Sequence, residues 1–238
     1  QTCALPISLF PGAAFLAAIR VARHRRPLDK TGKGNASMTD DTTEWWLVRH
    51  APTVNPGNTV YGSLDLDIQT PLAEAYAALS TVLPVDPVWM VSNLSRTRKT
   101  LDGILAARGI ALAEIHVESA FAEQHFGDWE GRPSAEVWAE IRDTEKSWPA
   151  DIRPPGGESF SEVADRVGTA AHSWSEKFAG RQVVAVLHSG SIRSFLSTAM
   201  GGAAVESLSY VVDNLSVTRC DYLGPESWRI GFVNRPPR

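Results

Sequence analysis

Blocks of apolar and polar residues alternate along this chain, and the blocks predict its elements. Trp45–Arg49 reads as a buried strand running into a polar turn, Val88–Val91 as a second strand and Val183–Leu187 as a third. Continuous apolar runs of this kind suit a sheet covered on both faces. Ile115–Val117 reads as a short strand, and two or three more are expected near the C-terminus, from Leu208–Val212, Ser216–Asp221 and Trp228–Val233. Helical spacing covers Leu72–Leu83, Ser95–Ala107, Ser134–Lys146, Ser159–Phe178 and Gly190–Met200. In the second of these, Leu101, Ile104 and Leu105 share one face. The clearest pattern is Ser159–Phe178, where Val163, Val167, Ala170, Ala171, Trp174 and Phe178 form a stripe. Ser159 and Glu162 there make a capping box. Strands alternating with helices predict an α/β fold, a three-layer α/β/α sandwich on a mostly parallel sheet.

Composition sharpens this picture in one respect. The 238 residues are 43% hydrophobic and 21% charged with a net charge of −4, which fits a globular protein with a sizeable core. The average hides two unlike parts. Residues 1–37 hold six basic side chains against one acidic, a net of +5, whereas residues 38–238 carry 17 basic and 26 acidic, a net of −9. The first methionine is Met38. Residues 1–37 therefore read as a disordered or spurious leader, and 38–238 as the functional domain. The rival is a targeting segment. Pro6 to Ile19 is largely apolar, but its charges follow it at Arg20–Arg26, the reverse of a secretory signal. A reverse-oriented membrane anchor is the remaining form of that rival. The acidic domain argues against nucleic acid as a partner. With only Cys3 and Cys220, neither a disulfide framework nor a Cys–His zinc pattern is present, and no metal or cofactor is expected. A reducing, cytoplasmic setting fits this cysteine usage.

The chemistry gathers where strands end. Leu47-Val48-Arg49-His50 delivers an arginine and a histidine to the carboxyl end of the first strand, the edge at which open α/β sheets bind ligands. The run from Val183 to Leu187 delivers His188, followed by the turn Ser189-Gly190 and a helix whose N-terminus favours an anion. Val91-Ser92-Asn93-Leu94-Ser95-Arg96 places Arg96 in the first turn of another helix. Each piece alone has an ordinary structural explanation. Together they aim two histidines and two arginines at one edge of one sheet.

These residues belong to five ordered motifs. They are Arg49-His50-Ala51 with Thr53, Ser92-x-Leu94-x-Arg96-Thr97-x-x-Thr100, and Glu123 followed by Phe126-Gly127-Asp128-Trp129-Glu130-Gly131. Pro155-Gly156-Gly157-Glu158-Ser159 and His188-Ser189-Gly190-Ser191-Ile192-Arg193 complete the set. In this order and spacing the chain resembles the histidine phosphatase superfamily, the phosphoglycerate mutase-like family. The resemblance implies that His50 is the nucleophile, forming a phosphohistidine. It implies that Arg49 and Arg96 hold the phosphoryl oxygens and that His188 is a further donor to them. Glu123 is then the general acid for the leaving alcohol and the base for the incoming water. Asn55 and Ser189 join the phosphate-binding candidates, Ser189 through its backbone N–H. Glu130 and Asp128 are rival acids in the same loop. Glu158 is expected to steady the start of the long helix, His125 and His172 to serve as surface or packing residues, and Trp129 to wall the pocket or pack the core.

Four departures from the family pattern stand out, the first being that the family's asparagine after the threonine is out of register, Asn55 coming one position early and Asn58 needing an insertion. Ala51 replaces a glycine and its Cβ is expected to crowd the turn, Pro52 removes an N–H, and Ser189 replaces another glycine. The loop Phe126–Pro133 resembles the phosphatase branch, including the α-ribazole phosphatases, rather than the mutases. The expected activity is metal-independent hydrolysis of a small phosphate ester. A mutase-type phosphotransferase and a catalytically weak phosphate-binding protein are the alternatives. Trp45, Trp46, Trp148 and Trp228 are candidates for a homodimer interface.

Overall fold

A computed structural model describes residues 41–69, 73–111, 114–143, 150–225 and 227–237, and among these described residues there are six strands and six helices. In chain order they are β1 (Thr43–Arg49), α1 (Ala73–Val82), β2 (Val88–Val91), α2 (Ser95–Arg108), β3 (His116–Val117) and α3 (Ser134–Asp143). Then follow α4 (Phe160–Lys177), β4 (Gln182–Leu187), α5 (Ser189–Met200), the single-turn α6 (Ala204–Ser207), β5 (Val217–Gly224) and β6 (Ser227–Arg235). Short 3₁₀ turns occupy Ser119–Phe121 and Gly127–Trp129. The expected leader 1–37, Met38, Leu72, residues 144–146 and Trp148 lie outside the described residues.

The strands form one sheet in the order β3-β2-β4-β1-β5-β6. β3, β2, β4 and β1 pair in parallel, and β5 and β6 are added antiparallel beside β1. Successive side chains of a strand point to opposite faces, so each apolar run feeds two cores. Trp45, Leu47, Met90, Val183, Ala185 and Leu187 face Val163, Val167, Ala171, Ile192 and Phe195 of α4 and α5. Val48, Trp89, Val91, Val184 and Val186 face Tyr76, Leu79, Leu101 and Ile104 of α1 and α2. The result is the expected three-layer α/β/α sandwich. A small satellite cluster of Val60, Val137 and Ile141 packs with Phe126 and Trp129, so Trp129 is a packing residue.

Local signals explain the ends of the elements. Ser159 Oγ accepts the backbone N–H of Glu162, and Glu162 returns the bond to Ser159 N, which completes the capping box at α4. α2 stops at Gly109, whose φ of +64° is the left-handed conformation that closes a helix. Of the two or three strands expected near the C-terminus, two form. Leu208–Val212 is a turn followed by irregular chain. Its apolar spacing is real, since Leu208 and Val212 are buried. Its carbonyls, however, meet guanidinium groups instead of a neighbouring strand. Arg193 Nε donates to Tyr210 O at 2.8 Å and Arg49 Nη1 to Val212 O at 2.6 Å.

The tryptophans also resolve. Trp45 is fully buried and donates to Ser175 Oγ at 2.8 Å, so it is core and not an interface residue. Trp46 lies against Phe232 and Trp228 against Tyr222 and Phe195, and both are partly buried. Among the described residues no helix is long and apolar enough to cross a membrane.

Candidate active site

The register of three parallel strands assembles the site. β1 and β4 pair with Arg49 opposite Leu187, so the next residues, His50 and His188, emerge side by side. Their ring centroids are 5.2 Å apart. β2 pairs on the other flank of β4 with Val91 opposite Val186, which brings Ser92 beside His188. Sequence positions far apart thus meet in a row across the sheet edge.

Both histidines are buried, and their partners define which nitrogen carries the proton. His50 Nδ1 is 2.6 Å from the carbonyl of Ala51; an oxygen acceptor there requires an N–H, so the lone pair lies on Nε2. The His50 backbone is held at both ends, its N–H by Leu187 O at 2.9 Å and its carbonyl by Asn214 Nδ2 at 2.7 Å. His188 has the opposite arrangement. Its Nδ1 accepts from Arg96 Nε at 3.2 Å, which leaves the proton on Nε2, donated to Ser92 Oγ at 2.7 Å. Both imidazoles sit well below their ordinary pKa of 6.5. Burial is the main cause, followed by the Arg96 guanidinium. Arg49 adds to it for both rings, and His50 adds to it for His188.

The arginines are fixed before any ligand arrives. Arg96 is fully buried; Nη1 donates to Leu64 O at 2.7 Å and Nη2 to Gly62 O at 2.6 Å, with the guanidinium over the Tyr61 ring. Arg49 is 1% exposed, and its Nε is buried without a hydrogen-bond partner. Its charge is felt at His50, the next residue of the chain. Arg193, on the next turn of α5, is also buried, and its pKa is pushed down to about 10, first by burial.

Glu123 reaches this edge from the loop after the first 3₁₀ turn. Its Oε2 accepts from Gly190 N at 3.3 Å and lies 3.5 Å from Ser189 Oγ, at the N-terminus of α5. A Cβ at Gly190 would overlap Glu123 Oε1, the movable end of that side chain. The rival acids are placed otherwise. Glu130 is buried in a structural knot, its Oε1 accepting from Ser63 N at 2.7 Å and Phe126 N at 3.0 Å. Asp128 is exposed. Glu158 pairs with Arg166 at 2.8 Å. His125 is exposed beside Glu130, and His172 packs against Tyr222 and Trp228.

The structure brings together His50, His188, Arg49, Arg96, Glu123 and Ser189. It does not show Asn55 turned to them. All three of its side-chain bonds run to Thr59, closing its own loop. Ala51 does not crowd its turn. It is fully buried in the core cluster of α1 and α2 and avoids positive φ, and its N–H donates to Thr100 Oγ1 at 2.9 Å. Sequence reasoning gave no role to Ser92, Asn214 or Arg166. Ser92 stood in a recognised motif, but its partner His188 is 96 residues away. Among the described residues, no group of three or more His, Cys, Asp or Glu side chains is placed to hold a metal ion.

An arrangement of one imidazole lone pair, fixed guanidinium donors and a nearby carboxyl can bind and transfer a phosphoryl group. Comparison with known proteins agrees. Glucosyl-3-phosphoglycerate phosphatase of Mycolicibacterium vanbaalenii is 31% identical over 166 residues, covering 65% of this chain and 73% of its own. Metal-independent phosphoserine phosphatase of Arabidopsis thaliana is 27% identical over 168 residues, covering 67% and 70%. The native structure of a mycobacterial glucosyl-3-phosphoglycerate phosphatase superposes with a TM-score of 0.67 at 25% identity, covering 82% of this chain and 99% of that one. A Bacillus anthracis phosphoglycerate mutase shares the fold, with a TM-score of 0.70 at 18% identity over 82% of this chain and 94% of its own. The family model for branch 1 matches residues 45–235, and this chain belongs to the histidine phosphatase superfamily.

Proposed function

We propose that residues 38–238 form a phosphomonoester hydrolase that acts on a small phosphorylated metabolite through a phosphohistidine on His50, without a metal ion. The observation that carries this reading is the Nδ1–H bond from His50 to Ala51 O, which leaves the Nε2 lone pair beside the guanidinium donors. Nε2 attacks phosphorus, and the ester P–O bond breaks. Arg49 and Arg96 stabilise the phosphoryl oxygens. Glu123 gives its proton to the departing alkoxide. The resulting carboxylate then takes a proton from water, whose oxygen attacks the phosphohistidine. The N–P bond breaks, inorganic phosphate leaves, and His50 returns to its neutral state with the Nδ1 proton unmoved. His188, whose two ring nitrogens are bonded to Arg96 and Ser92, contributes to phosphate only by exchanging one of those partners.

The test is phosphate release from 4-nitrophenyl phosphate by the full chain in excess chelator, with His50→Ala in parallel. Turnover that persists in chelator and vanishes in the variant supports the reading, as does acid-labile phosphate trapped on the wild-type protein alone. Equal turnover in both proteins overturns it.

A further inference from the structure

Glu123 sits on a loop that belongs to neither the sheet nor a helix. Among the described residues, the backbone–backbone bonds donated within residues 120–123 are those of the 3₁₀ turn, Phe121 N to Glu118 O and Ala122 N to Ser119 O, and Ala120 N donates to the Glu118 side chain. Yet all four consecutive carbonyls of this loop have partners, and the donors are side chains. Arg166 Nη1, from α4, donates to Ala120 O at 2.7 Å and Ala122 O at 3.0 Å, and Nη2 to Glu123 O at 3.3 Å. Ser191 Oγ, from α5, donates to Phe121 O at 2.9 Å and Ala122 O at 3.1 Å.

Arg166 is itself locked. Its Nε and Nη2 donate to the two oxygens of Glu158, at 3.0 and 2.8 Å. Glu158 Oε1 also accepts His125 N at 2.9 Å, and Glu158 O accepts Gln124 Nε2 at 2.8 Å. The pair thus grips the chain on both sides of Glu123. A planar, five-donor fork suits this task, and a lysine ammonium does not.

We propose that Arg166, oriented by Glu158, is a positioning residue that fixes the Glu123 carboxyl for proton transfer to the leaving group. The proposal rests on Glu123 being the general acid. It adds a role for two residues that touch neither the substrate nor the reacting atoms. Proton transfer requires the carboxyl within hydrogen-bond reach of the ester oxygen, so a loop displaced by even an ångström loses it.

Leaving-group dependence separates positioning from general damage. Nitrophenolate departs without a proton, whereas an alkoxide needs one. The full chain is compared with Arg166→Lys, Arg166→Met, Glu158→Gln and Glu123→Gln on 4-nitrophenyl phosphate and on ethyl phosphate. Competitive inhibition by inorganic phosphate is measured in parallel. Arg166→Met is expected to lower kcat/KM, which ends at release of the alcohol and so excludes the Glu123-assisted hydrolysis common to both substrates, by about 10- to 100-fold on ethyl phosphate, part of the roughly 10²- to 10⁴-fold that a general acid contributes. On 4-nitrophenyl phosphate the loss is expected to be about threefold at most, with inhibition by phosphate little changed. Arg166→Lys falls between wild type and Arg166→Met. Glu123→Gln shows the same selectivity, larger. Where Arg166→Met melts too low to assay, Arg166→Lys and Glu158→Gln carry the comparison. Selectivity in Glu123→Gln with equal losses, or none, in the Arg166 variants overturns the positioning role alone. Absence of selectivity in Glu123→Gln overturns the acid assignment, and the positioning role falls with it.

Discussion

The Glu123 carboxyl occupies the space beside the α5 backbone that a side chain at Gly190 would fill. Gly190 also donates its N–H to that carboxyl at 3.3 Å. The glycine is therefore a seat for the acid rather than a requirement of the helix. The obstacle to a larger residue is the movable end of a glutamate, and alanine is tolerated in a helical conformation at least as well as glycine. Gly190→Ala is expected to fold with a melting temperature within a few degrees of wild type. Its kcat on an alkyl phosphate is expected to fall about tenfold or more, as the displaced carboxyl loses the leaving group. An unchanged kcat would show that this seat is not used in the reaction.

Stability should fall in mild acid. His50 and His188 are both held below 6.5, chiefly by burial and by the arginines. Between the lowered folded values and 6.5 the unfolded chain binds more protons than the native one. The full stability is present above 6.5 and declines as pH drops below it, with a slope approaching roughly 1.4 kcal/mol per pH unit for each histidine. Urea unfolding at a series of pH values checks this. His50→Gln should lower the slope by one proton's worth, and an identical slope would contradict the assignment.

Ser92→Ala leaves the buried Nε2–H of His188 without its acceptor at 2.7 Å. The expected loss is roughly 1–3 kcal/mol in urea unfolding, the cost of an unsatisfied buried donor. Ser80→Ala is the control, since Ser80 is only partly buried on α1 and bonds its own helix at Ala77 O. It should stay within about 0.5 kcal/mol.

Two glycines of one motif should respond differently. Gly127, with φ of +51°, faces the backbone of Pro155, Gly156 and Gly157, and a Cβ there would overlap Pro155 O. Gly131, with φ of +83°, has nothing within 4 Å of that position. Gly131→Ala should cost only the left-handed conformation, roughly 1–2 kcal/mol. Gly127→Ala should add overpacking against immovable backbone, a further roughly 1–3 kcal/mol. Equal melting temperatures for the two variants would contradict this packing.

Much of this molecule was legible because its chemistry follows local patterns. β1, β2 and β4 are apolar runs that stop at the residues of interest, and their parallel register does the rest. The capping box at Ser159 and the stripe of α4 are likewise local. What stayed hidden depends on distant partners. Arg166 lies on the polar side of the α4 pattern, and no local spacing reveals that its donors close over a loop more than 40 residues earlier. The Leu208–Val212 segment was misread for the same reason: its burial is local, but the arginines that take its carbonyls come from β1 and α5. Asn55 looked available for a ligand because its bonds to Thr59 depend on a loop shape that the spacing does not reveal.

The unpartnered Nε of Arg49 has a practical consequence for anyone handling this protein. A buried donor left unsatisfied weakens the fold by roughly 1–3 kcal/mol. On the proposed function, an oxyanion held by the guanidinium groups of the site would draw the population toward the native form by mass action. Melting curves recorded in phosphate or sulfate would then describe protein and buffer together. Two laboratories using different buffers would report different proteins from the same sequence.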